Sequence, residues 1–398
     1  MRKGAPELQA ASRDLLAPSL RSAIDAFVVM DVMREANARQ AAGVDIIHME
    51  VGQPGTPAPR IVREAIARET GRSALGYTDA LGLPALRERI AQHYGEAYHV
   101  DVSPGRVVVT TGSSAGFILA FLALLDAGDG IALPQPGYPC YRQIARVLGL
   151  KPVYLPARAS SRFAPSAEDL SRALSSGAAR AVLLASPANP TGTMLTAADM
   201  RQLVDAARAN KAWFISDEIY HGLTYSGPAD TALSFWQDAI VINSFSKYYS
   251  MTGWRIGWMI VPERMVRVFE RLAQNLYISP PTVSQIGALA AFDAVEELEG
   301  YKAVYAKNRA MLLDELPRAG FDKLAPADGA FYLYANATHL TDDSVGFAQR
   351  LLHETGVAVT PGVDFDEEEG SRFLRFSYAG TFDNMLEAAR RLRAWVNR

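Results

Sequence analysis

The chain has 398 residues, 49% hydrophobic and 21% charged, the profile of an ordered globular protein long enough for two domains around sizeable cores. Its formal charge of −3, with Lys and Arg scattered rather than striped, argues against nucleic acid as a partner. One cysteine, Cys140, precludes an internal disulfide, and neither a membrane span of roughly 18 apolar residues nor a secretory signal is legible, so a cytoplasmic protein without membrane contact is expected.

From about residue 105 to 275, strand and helix signals alternate. β-rich runs at Arg106–Thr110, Gly130–Leu133, Pro152–Leu155, Ala181–Ala185, Trp213–Ser216, Ala239–Asn243 and Gly257–Val261 are interleaved with helical patterns at Ala115–Leu125, Tyr141–Leu148, Ala198–Asn210 and Glu263–Gln274. The alternation predicts an α/β fold, a mainly parallel seven-stranded sheet covered by helices. After about residue 300 a helix over Asn308–Ala319, strands at Phe331–Tyr334, Val357–Val359 and Phe373–Phe376, and a closing helix near Asn384–Val396 predict a smaller α+β domain. The expected division is 1–51 packing with the small domain, 52–295 as the large domain and 296–398 as the small one.

Several strand ends carry polar residues suited to chemistry. Thr110-Thr111-Gly112-Ser113-Ser114-Ala115-Gly116 joins a strand to a helix, and its backbone N–H groups and serine hydroxyls form a phosphate cradle. It lacks the G-x-x-x-x-G-K pattern, and no G-x-G-x-x-G follows a strand, which disfavours a nucleotide. Ser186-Pro187-Ala188-Asn189-Pro190 is a rigid turn presenting the Asn189 amide at the sheet edge. Asp217 ends an apolar run with Tyr220 three residues on; it suits a partner for a pyridine nitrogen, or equally a helix N-cap. The six histidines have no metal-like spacing, and no metal is expected.

Most informative is Asn243-Ser244-Phe245-Ser246-Lys247-Tyr248-Tyr249-Ser250-Met251-Thr252-Gly253-Trp254-Arg255, which follows a buried strand. A lysine there can hold pyridoxal 5'-phosphate as a Schiff base, with Ser244, Ser246 and Arg255 supplying hydrogen bonds and charge to the phosphate. Near the end of the chain, Arg375 interrupts the apolar Phe373-Leu374-Arg375-Phe376-Ser377, where a guanidinium is costly unless a carboxylate ligand or an ion pair compensates it.

Together these segments resemble the class I/II aminotransferases, the fold-type I pyridoxal-phosphate enzymes, over nearly the whole chain from about Asp25. The resemblance implies that Lys247 is the Schiff-base lysine and proton shuttle, that Asp217 pairs with the ring nitrogen, and that Asn189 and Tyr220 contact the ring oxygen. It implies a phosphate site of Ser113, Ser114, the Ala115 amide, Ser244, Ser246 and Arg255, and a ring stacked on Tyr138. It assigns the substrate carboxylate to Arg375, helped by Asn189 and the Gly52 backbone. Tyr77 is expected to reach the phosphate of a neighbouring subunit, which implies a homodimer with shared sites. The implied substrates are an amino acid and a 2-oxo acid. The side-chain pocket is assigned to Phe27-Val28-Val29-Met30 and to the partner's Asn275-Leu276-Tyr277-Ile278, largely apolar segments that favour a neutral aliphatic or aromatic donor. Phe331 and Tyr332 suit the pocket or the core equally. The same fold also carries carbon–sulfur β-lyases, and a cofactor-sensing regulator is a further alternative.

Overall fold

The computed structural model describes residues 18–72 and 74–396. Its centre is a seven-stranded sheet of β1 (Val107–Thr110), β2 (Gly130–Gln135), β3 (Lys151–Pro156), β4 (Ala181–Ala185), β5 (Trp213–Asp217), β6 (Ile240–Ser244) and β7 (Gly257–Ile260). The spatial order is β1-β7-β6-β5-β4-β2-β3. β7 runs antiparallel to both its neighbours, and the remaining pairs are parallel.

Both faces of the sheet are covered, which is why its strands read as continuous apolar runs. Val107, Val109, Val182 and Phe214 enter one hydrophobic cluster, while Val108, Ala181, Leu183 and Ile215 enter another on the opposite face. Helices Ser113–Leu124, Pro139–Val147, Ala167–Ser175 and Ala197–Ala209 alternate with the strands. The last is announced by a capping box, in which the Thr196 hydroxyl accepts from the Asp199 amide and the Asp199 carboxylate from the Thr196 amide.

A second sheet holds β8 (Lys323–Leu324), β9 (Tyr332–Asn336), β10 (Thr360–Pro361) and β11 (Phe373–Ser377), all antiparallel, in the order β10-β11-β9-β8. The expected single strand over Val357–Val359 is divided here. Val357–Ala358 pairs in parallel with Ile47–His48, and after Val359 the chain crosses to the four-stranded sheet. The expected helix over 308–319 begins much earlier, spanning Val295–Arg318, because its first turns are rich in charge and bury few side chains.

The N-terminal helix Val28–Ala41 has no side-chain cap from its own N-cap residue, Phe27. Its cap comes from far along the chain, where the Asp364 carboxylate accepts from the Val28 amide at 3.0 Å and the Val29 amide at 2.8 Å. A carboxylate there satisfies orphan donors and the helix dipole, and it fixes Phe27–Met30 in space.

Candidate active site

The polar residues gather at the carboxyl ends of the parallel strands, where open α/β sheets bind ligands. The turn after β1 delivers Ser113 and Ser114, that after β2 Tyr138, that after β4 Asn189, the end of β5 Asp217, and the turn after β6 Ser246 and Lys247. With Gly52, Tyr220, Thr252, Arg255, Tyr332 and Arg375 they line one cavity of about 180 Å³.

Lys247 Nζ donates to the Gly52 carbonyl at 2.6 Å. Burial, with the nearby Arg375 and Arg255 charges, brings its amine down to about 8, while Asp217 pulls the other way. Asp217 is buried and pushed up to about 6 by desolvation, against donors from the Tyr141 hydroxyl and the Ile219 amide. Its neighbour Glu218 is pushed up to about 8, mainly by burial, despite donors from Ala232, Thr231 and Ser216. Burial of Tyr138 and Tyr220 raises both phenols well above their usual range, so they remain protonated.

Arg375 is 2% exposed in β11, between β10 and β9. Its Nη1 donates to Asn189 Oδ1 at 2.9 Å and its Nη2 to the Glu50 carbonyl at 2.5 Å and Thr360 Oγ1 at 3.1 Å, while Nε has no partner among the described residues. The guanidinium lies 4.3 Å from the Tyr332 ring centroid and 4.7 Å from that of Phe365. The turn that carries Asn189 is anchored at Ser186 by His221. Burial takes this imidazole down to about 3 and keeps it neutral; Nε2 donates to the Ser186 carbonyl at 3.0 Å and Nδ1 accepts from Tyr98 at 2.8 Å.

At the other end of the cavity stand Ser113, Ser114, Ser246, Thr252 and Arg255. Helix Ser113–Leu124 points its first, unpaired amides there. Gly112, at φ +82°, leaves the approach open, since a Cβ there would lie 2.5 Å from Arg255 Nη2. Lys247, Arg255 and Arg375 form no ion pair among the described residues, and Asp217 is the one carboxylate lining the cavity. Three cationic side chains against one carboxylate call for an anionic occupant. A phosphate at the serine end and a carboxylate at Arg375 meet that need, with Asp217 facing a protonated ring nitrogen, so the donor set fits pyridoxal phosphate.

Of the residues singled out in the sequence, Gly52, Ser113, Ser114, Tyr138, Asn189, Asp217, Tyr220, Ser246, Lys247, Arg255 and Arg375 meet at this cavity. Ser244 does not reach its wall: the hydroxyl donates to the Ile256 carbonyl at 3.0 Å, lies 2.9 Å from Ser246 Oγ, and accepts from the Ser246 amide at 3.1 Å. It sits at the last position of β6 and backs Ser246 through these bonds. Ala115 lies in the first turn of its helix and is not part of the wall. Tyr77 is 83% exposed and outside the cavity of a single chain.

Sequence reasoning passed over Tyr141, whose hydroxyl makes a short hydrogen bond to Asp217, and also Phe117, Ile219 and Thr252. Tyr141 sits on a strongly amphipathic helix, where an aromatic residue reads as ordinary core. Phe27, Val29 and Met30, expected at the pocket, do line it.

Residues 44–392 match the family model "Aminotransferase class I and II". The valine–pyruvate aminotransferase of Mycobacterium tuberculosis is 46% identical over 383 residues, covering 95% of this chain and 98% of that protein. A solved aminotransferase structure from the same organism shares 45% identity with a TM-score of 0.93, covering 96% of this chain and 99% of that one. A solved structure from Silicibacter pomeroyi shares 53% identity with a TM-score of 0.90, covering 96% and 100%. A chain matched this completely, with the strand-end constellation described above, belongs to the class I and II aminotransferase family and is an aminotransferase.

Proposed function

We propose that this aminotransferase uses pyridoxal 5'-phosphate to move the amino group of a neutral aliphatic or aromatic L-amino acid to a 2-oxo acid, and that it works as a homodimer with shared sites. The observation carrying this reading is the cation surplus around one small cavity: Lys247, Arg255 and Arg375 against Asp217. When bound, the cofactor supplies an aldehyde that condenses with amines and a protonated ring that withdraws electrons from the substrate Cα.

In this reading Ser113, Ser114, Ser246, Thr252 and Arg255 hold the phosphate, Ser244 props Ser246, and Tyr138 packs on the ring. Asp217 keeps the ring nitrogen protonated, and Tyr141 orients Asp217. Asn189 and Tyr220 donate to the ring oxygen. Arg375 takes the substrate carboxylate, for which its fork and unpaired Nε are suited. Lys247, with its amine near 8, accepts and returns a proton at Nζ in the working pH range.

Substrate class follows from the rest of the wall. Phe27, Val29, Met30, Val51, Phe117 and Ile219 are apolar, and among the described residues no lining cation beyond the three already assigned is there to meet a distal carboxylate. The activity for which the 46% identical relative is named, valine–pyruvate amino transfer, points the same way. Exposed Tyr77, Leu276 and Ile278 support a second copy as the partner.

The test is the visible spectrum of the cofactor-loaded protein as single amino acids are added without an acceptor. Valine, leucine or phenylalanine should bleach the coloured band faster than aspartate does. Preference for aspartate removes the substrate assignment, and absence of a band removes the cofactor assignment.

A further inference from the structure

Tyr332 lies in β9, fully buried, at the junction of the two halves of the site. Its hydroxyl is 2.7 Å from that of Tyr220, and the rings meet edge to face with centroids 5.7 Å apart. Its ring face carries the Arg375 guanidinium at 4.3 Å. Gly52 closes the third side, since a Cβ at that position would stand 2.1 Å from Tyr332 Oη. One side chain thus touches the Arg375 cation, the Tyr220 hydroxyl, and the backbone segment that accepts from Lys247.

We infer that Tyr332 is a positioning residue that donates its phenolic hydrogen to Tyr220, sharpening Tyr220 as a donor to the bound ring while holding Arg375 in place. The inference rests on the pyridoxal-phosphate reading above. Two phenols in contact share one hydrogen bond, and either can give it. Once Tyr220 gives its only hydrogen to an oxygen of the bound ring, its own oxygen can serve Tyr332 only as an acceptor. The direction of the pair is then fixed. Tyr220 is the sole hydrogen-bond partner of the Tyr332 hydroxyl among the described residues, so no competing acceptor draws that hydrogen away. A chain of two such bonds polarises along its length, and each strengthens the other.

The ring adds a second function. A guanidinium stacked on a tyrosine face is held by attraction to the ring quadrupole and loses rotamer freedom. Removing the hydroxyl and removing the ring should therefore have separable effects. The first alters the bound cofactor through Tyr220, and the second weakens substrate binding through Arg375.

The experiment titrates the visible band of the cofactor-loaded protein against pH in wild type, Tyr332→Phe, Tyr220→Phe and the double variant. The expected result is an upward shift of the midpoint in Tyr332→Phe by about 0.5–1 pH unit, the size of one neutral hydrogen bond. Tyr332→Phe should add little on top of Tyr220→Phe. KM for the amino donor should change little in Tyr332→Phe and rise at least about tenfold in Tyr332→Leu, the scale of a desolvated cation–π contact. An unchanged midpoint, or a full shift surviving in the Tyr220→Phe background, overturns the inference while leaving the cofactor reading intact; no band in wild type overturns both. Should Tyr332→Phe fail to fold, 3-fluorotyrosine placed at 332 supplies a more acidic donor that moves the midpoint down, and an unmoved midpoint overturns the inference.

Discussion

Arg375 Nη1 and Asn189 Oδ1 lie 2.9 Å apart, although one sits on the four-stranded sheet and the other on a turn of the seven-stranded sheet 186 positions earlier. This bond ties the two sheets together across the cavity. It aims a buried guanidinium from one at the strand ends of the other.

Arg375 has hydrogen bonds but no ion pair among the described residues, so it holds a charge in the core at a cost to stability. We expect Arg375→Met to leave the melting temperature of the apoprotein unchanged or higher while kcat/KM falls. Loss of two charge-assisted hydrogen bonds to a substrate carboxylate corresponds to about 10²–10⁴-fold. Steady-state kinetics and a thermal melt on one preparation check both halves.

The Lys247 amine sits near 8 in the folded chain, below its ordinary value. Only the neutral amine attacks an aldehyde, so the rate of band formation on adding pyridoxal phosphate to apoprotein should rise about tenfold per pH unit and level off above pH 8. The linkage has a definite sign: the unfolded chain keeps this proton up to its higher pKa, so stability rises with pH between about 8 and about 10.4. The apoprotein variant Lys247→Met should therefore be more stable than wild type at pH 7, with the gap narrowing by pH 10. Stopped-flow absorbance and urea melts at the two pH values test this.

Burial pushes the Asp217 carboxyl up to about 6. Between about pH 4 and 6 the folded state binds the extra proton, so this carboxyl makes the apoprotein less stable as pH rises through that window. Asp217→Asn should flatten that part of the stability profile. With the ring nitrogen no longer facing a carboxylate, its kcat should fall by about 10²–10³-fold, on the scale of losing one transition-state electrostatic contact. Melting curves across the window and single-turnover kinetics give the two readouts.

Gly112 combines φ +82° with a Cβ position 2.5 Å from Arg255 Nη2. Gly112→Ala should cost about 1–3 kcal/mol from a backbone conformation (φ +82°, ψ 167°) open essentially to glycine alone and displace Arg255 from the cradle. Equilibrium binding of pyridoxal phosphate should weaken more than stability does; a variant that binds the cofactor as wild type does would remove Arg255 from the phosphate site.

Tyr77 is 83% exposed in the single chain. If it serves the partner's site, Tyr77→Ala and Lys247→Ala are each nearly inactive, and mixing them by co-refolding restores about a quarter of wild-type activity, because half the dimers are mixed and each has one intact site. Equal mixtures that stay inactive, or a monomer in sedimentation velocity, contradict the shared site.

Much of this was written locally. The apolar runs of β1 to β7 and the intervening helices follow from side-chain period alone, as do the strand-end positions of Asp217 and Lys247. The stretch from Ser244 to Arg255 carried its chemistry in residue type and spacing, and Arg375 was conspicuous as a charge inside an apolar strand. Other features depend on residues distant in the chain. Helix Val28–Ala41 takes its cap from Asp364, a contact that no local pattern contains. Tyr141 reads as a core aromatic, and Tyr332 as pocket or core equally, until folding sets their hydroxyls against Asp217 and Tyr220. Ser244 and Ser246 are alike in type, yet only Ser246 lines the cavity, while the Ser244 hydroxyl is taken up by the Ile256 carbonyl and by Ser246 itself. Periodicity and residue chemistry act over a few positions and so identify elements and reactive groups. Which groups face one another, and with what pKa, depends on burial and packing between distant segments, and those arise only when the chain closes on itself.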